Sequence, residues 1–165
     1  EQRLHTMPAL LTGSVDAGGK FLLSGGDENG MKALAQKKCE SFEQYLAMYP
    51  EFRIVFVGDN GQADYAVGKM MACQHPYNIE QVFIHEVQAR EKTWGYEPGG
   101  DEGAEGRIIL FEDYITAAMS AMLRASPLIT PEGLCRIVYA AIDDFKKISN
   151  WQSESQRESE VHRLN

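Results

Sequence analysis

Cysteine is scarce in this chain and scattered along it. Cys39, Cys73 and Cys135 are odd in number and share no CxxC spacing, which argues against a disulfide framework or a zinc cluster and fits a reducing compartment. Basic surface is lacking too. The formal net charge is -8, and no run of Lys and Arg makes the stripe that a nucleic-acid backbone requires. Long apolar runs are missing: nothing approaches the roughly 18 to 20 residues that span a bilayer, and the N-terminus has no basic segment leading into an apolar signal core. These absences point to a cytoplasmic protein with no nucleic-acid partner and no transmembrane segment.

What is present is enough apolar material for a real core. With 165 residues and 44% hydrophobic content, the chain fits one globular domain, expected over residues 1–150 and followed by a polar tail at 151–165. Met7 to Ser14 reads as a short strand, and the glycines between 18 and 30 read as loop. Apolar residues then recur at helical spacing from about Met31 to Met48, with Pro50 as the stop. Buried strands follow at 53–57, 81–87 and 107–111, with a helix over about 65–73 between the first two. Two more helices are expected, at about 113–124 and from Pro131 to about Ile148, the last opened by Thr130-Pro131-Glu132 as cap, first-turn proline and early acid. Continuous apolar strands separated by helices predict an α/β fold, a Rossmann-like three-layer sandwich with a mainly parallel sheet.

The most informative stretch is Arg53 to Asp64, an apolar strand that ends in Gly58-Asp59-Asn60-Gly61-Gln62-Ala63-Asp64. Open α/β sheets place ligands at the carboxyl ends of their strands. A tight glycine turn there brings Asp59 and Asp64 toward one point. Mg²⁺ takes one or two protein carboxylates and keeps positions for water and phosphate, so Asp59 and Asp64 are candidate metal ligands, with Gly58 and Asn60 as candidate cofactor-binding positions. The competing reading makes Asp64 a simple helix cap. Lys37 and Lys38 lie on the helix antiparallel to this strand, where either ammonium could meet a phosphate or screen clustered carboxylates. His85, within an apolar strand, reads as a strand-end or packed histidine rather than a ligand, and Met70, Met71, Met119 and Met122 as core. Residues 93–106, rich in glycine and acid, read as an exposed excursion, with Trp94 and Tyr96 forming either a lid or a plain surface loop.

Lys38, the helix ending Tyr49-Pro50-Glu51, the apolar strand and the Gly-Asp-Asn-Gly-Gln-x-Asp turn together resemble the third and fourth motifs of the haloacid dehalogenase (HAD) superfamily. They are most similar to the branch of the actin-patch-associated phosphatidate phosphatases, and Val82-Phe-Ile-His-Glu-Val87 matches a later strand of that branch. The resemblance covers roughly residues 30 to 90. It implies that Asp59 holds Mg²⁺, that Asp64 supports the metal or its waters, and that Lys38 stabilises a phosphoaspartyl intermediate. Lys38 and Asp59 are thus the candidate catalytic residues, and the implied substrate is a phosphorylated small molecule or a lipid phosphate.

Chemistry of that class also needs an aspartate nucleophile at the end of a first strand, with a second acid two residues on. No such pair is found. Asp16 is followed two residues later by Gly18, Asp27 sits in a glycine loop, and Thr12, Ser14 and Ser24 supply only hydroxyls. Since the chain opens at Glu1, the first strand and its nucleophile are expected upstream of it. The alternative is a catalytically silent HAD-like scaffold that binds a protein partner.

Overall fold

In the computed structural model, which describes residues 28–98, 104, 106–149 and 153–164, the first element is helix α1, Glu28–Met48. Its inward stripe has helical period: Leu34 and Phe42 are buried, with Met31, Ala35, Cys39 and Leu46 packed beside them. The helix starts earlier than the glycine content suggests, because Gly30 lies within it and is buried there. Strand β1 (Ile54–Asp59), helix α2 (Asp64–Gln74), strand β2 (Ile79–His85) and strand β3 (Ile108–Phe111) follow, with a 3-10 turn at Arg90–Lys92 between β2 and β3.

The three strands form one sheet in the order β1-β2-β3, and both pairings are parallel. This α/β arrangement, a parallel sheet with flanking helices, is the Rossmann-like class that the sequence predicts. Phe56, Val82 and Ile84 join Leu34 and Phe42 of α1 and Tyr65, Val67 and Met71 of α2 in one apolar cluster. The register sets Asp59 beside His85 and His85 beside Phe111, so the carboxyl ends of all three strands finish at one level.

Two compact units make up the chain, the first ending at Phe111 and the second beginning at Glu112. In the second, helix α3 (Tyr114–Met122) is capped by Asp113, which accepts from Ile115 N and Thr116 N. Helix α4 (Pro131–Lys147) is capped by Thr130, which accepts from Gly133 N at 3.1 Å, with proline in its first turn as the sequence predicts. Met119, expected in the core, is 47% exposed on α3. Helix α5 (Glu154–Leu164) occupies the polar tail. The strand expected at 7–14, the loop below residue 28, and Thr12, Ser14, Asp16, Ser24 and Asp27 lie outside the described residues.

Candidate active site at the end of β1

Asp59 closes β1 and Asp64 opens α2, so the four residues between them form the strand-to-helix turn at the carboxyl end of the sheet. Asp59 Oδ1 accepts from Gly61 N at 2.8 Å, an Asx turn that fixes the direction of the carboxylate. Asp64 is no helix cap. The cap position is Ala63, which has no side-chain hydrogen bond, and the Asp64 carboxylate turns back instead, its Oδ2 accepting from Asp59 N at 3.4 Å.

Gly58 makes that approach possible. A Cβ at this position would stand 2.6 Å from Asp64 Cβ and 2.8 Å from its Oδ2, so any larger residue would push the carboxylate aside. The other Asp64 oxygen is taken by the Lys38 ammonium in a close ion pair. Lys38 faces inward because it lies four residues from both Leu34 and Phe42, on the buried stripe of α1. Lys37 turns outward to Glu40 at 3.3 Å. The question left open between the two lysines is therefore resolved in favour of Lys38.

Asn60 is fully buried. Its side-chain amide donates to Gln88 O and Thr93 Oγ1 and accepts from Val87 N and Gln88 N. These protein partners occupy the group that the sequence offered for cofactor contact. Beyond β2, Glu86 and Arg90 form a two-point ion pair at 2.6 and 2.7 Å. The Arg90 hydrogen bond holds the Glu86 carboxyl below its ordinary value, against the opposing pull of partial burial, and Glu86 in turn raises Arg90. The His85 ring stacks on Phe111 with centroids 5.1 Å apart.

Trp94 and Tyr96 are not a free flap. Both pack against the core, Tyr96 meeting Tyr65 edge-on at 5.6 Å. Gly95, at φ 80, lets the chain turn where a Cβ would lie 2.9 Å from Ala66 Cβ. Glycine-rich composition hides this anchoring, since Tyr65 and Ala66 lie some thirty residues earlier. Cys39 is also unsuited to nucleophilic work, because burial, then Glu43, pushes its thiol upward.

The donor set suits a hard cation. The one turn carries two carboxylates, and the Lys38 ammonium pairs with that of Asp64, which leaves a net negative charge for a dication. Among the described residues no group of three or more His, Cys, Asp or Glu is arranged to hold a metal. Two protein carboxylates supplemented by water are what Mg²⁺ ordinarily accepts, whereas a structural zinc site needs four protein ligands.

Residues 18–86 match the family model of the catalytic domain of the phosphatidate phosphatase APP1. Over this segment the chain is similar to that HAD-like catalytic domain. The APP1-like segment spans less than half of the chain, yet it contains α1, β1, α2 and β2 entire, and with them Lys38, Asp59 and Asp64. No curated protein and no solved structure matches the chain. Among the described residues no helix is long and apolar enough to cross a membrane.

Proposed function

We propose that this protein is a Mg²⁺-dependent HAD-type phosphatase acting on a phosphomonoester, with a lipid phosphate such as phosphatidate as the favoured class. The observation that carries the reading is the Lys38–Asp64–Asp59 constellation at the carboxyl end of β1, inside the APP1-like segment. Asp59 and Asp64 would hold the dication, directly or through water. When bound, it supplies positive charge to draw in and neutralise a phosphoryl group.

The remaining work falls to this chain's own residues. Lys38 pairs with Asp64 and holds its carboxylate in place, and its ammonium would offset charge on a phosphoryl oxygen. Gly61 N, donating to Asp59 Oδ1 at 2.8 Å, fixes the direction of the Asp59 carboxylate. The nucleophilic aspartate would arrive on an upstream strand. Among the described residues β1 pairs only with β2. A parallel strand added along that open edge would end level with Asp59.

The test uses protein carrying its full N-terminal sequence. We expect Mg²⁺-dependent release of phosphate from an aryl phosphate and from phosphatidate in mixed micelles, with Asp59→Asn reducing the rate by at least about 100-fold, as when a main electrostatic group is lost. Equal rates for the two proteins, or no hydrolysis by either, would reject the phosphatase reading and leave the scaffold.

A further inference from the structure

Every hydrogen-bonding group of Asn60 is engaged. Its N–H donates to His85 O at 3.0 Å, and its carbonyl accepts from Gln88 Nε2 at 2.7 Å. Its Oδ1 accepts from Val87 N at 2.9 Å and Gln88 N at 3.1 Å, while Nδ2 donates to Gln88 O at 2.8 Å and Thr93 Oγ1 at 3.0 Å. An asparagine side chain offers two donor hydrogens and one acceptor oxygen with two lone pairs, so nothing remains for a ligand.

All of these partners lie between residues 85 and 93, the end of β2 and the segment that follows it. The residue therefore joins two pieces of chain, the Asp59 turn and the 87–93 segment, in the middle of the candidate site. Gln88 Nε2 strengthens the same tie by also donating to Lys92 O at 3.1 Å. Because the Asp59–Asn60 peptide is held from the Asn60 side, the Asp59 backbone has little freedom to turn its carboxylate.

We propose that Asn60 is a positioning residue that fixes the direction of the Asp59 carboxylate by clamping the Asp59 turn to the 87–93 segment. This rests on the reading of Asp59 as a metal ligand. It differs in kind from the contacts of Asp59 and Asp64, because Asn60 touches neither cation nor substrate. Asparagine is needed because only a side chain that both donates and accepts satisfies the Val87 and Gln88 amides together with Gln88 O and Thr93 Oγ1. An aspartate in its place would set a carboxylate oxygen against the Gln88 carbonyl, which can only accept.

The experiment measures Mn²⁺ binding to the full-length protein by the electron paramagnetic resonance of free Mn²⁺, at a temperature where circular dichroism shows each variant folded. Removing an outer partner of a metal ligand typically costs about 10- to 100-fold in affinity. Asn60→Asp is expected to weaken binding at least about tenfold, and Thr93→Val, which removes one of the two Nδ2 acceptors, by a smaller factor in the same direction. His75→Ala, which deletes the 2.7 Å contact to Glu43, is the control for lost stability and leaves Mn²⁺ affinity unchanged. Should Asn60→Asp fail to fold, Thr93→Val decides alone. Wild-type affinity in the folded clamp variants, or an equal loss in His75→Ala, overturns the positioning role while the metal reading stands. No Mn²⁺ binding by the wild type overturns both.

Discussion

Lys38 and Asp64 are 12% and 11% exposed at their side chains, so their pairing is settled largely away from water. An ion pair in that setting costs solvation on both sides, and its strength shows mainly when one partner is lost, leaving the other buried and uncompensated. Lys38→Met is therefore expected to destabilise the protein by about 3 kcal/mol. Adding Asp64→Asn to Lys38→Met should recover more than half of that loss, because the stranded charge is gone. Denaturant unfolding of the two single variants and the double variant measures this, and strictly additive losses would show that the two residues do not interact. The sequence placed both Lys37 and Lys38 near the strand end and left open which faces inward, a choice that turns on the burial of Leu34 and Phe42. The engagement of the Asn60 amide was not legible either, since the partners that consume it arrive 27 to 33 residues later.

At the scale of elements, the segment after β2 is tied down at both ends, by Asn60 and by the Glu86–Arg90 pair. The Glu86 carboxyl is held below its ordinary value of 4.5 by Arg90. A depressed acid stabilises the fold above its unfolded value, and the contribution disappears as pH falls through the folded value. With Arg90 47% exposed, solvent screening keeps the effect to at most about 1 kcal/mol. Thermal melts should show Glu86→Gln less stable than wild type at neutral pH and indistinguishable from it well below pH 4.5. A deficit that persists in acid would mean that lost packing, not charge, is responsible. The order of strands and helices beyond residue 50 was readable from apolar period and from the Thr130-Pro131 start signal. The anchoring of Trp94 and Tyr96 was not, because composition reports the glycines and says nothing of the aromatic and alanine that receive them.

At the scale of the molecule, the candidate chemistry is confined to the unit that ends at Phe111, and the family match ends at residue 86 within it. The Gly-Asp-Asn-Gly-Gln-x-Asp turn was legible because a strand end, a close backbone turn and two acids are each visible in a linear pattern. How the acids are used is a three-dimensional fact, and it depends on the room left by Gly58 and on the reach of Lys38 from another element. The central claim is that Asp59 and Asp64 share one dication. Crystals of the protein soaked in Mn²⁺, an octahedral oxygen-seeking stand-in for Mg²⁺, test it through anomalous scattering. The account predicts a single strong peak at about 2.1 Å from a carboxylate oxygen of Asp59, with Asp64 on its near side. No peak at the end of β1, with Mn²⁺ bound elsewhere or not at all, would contradict it.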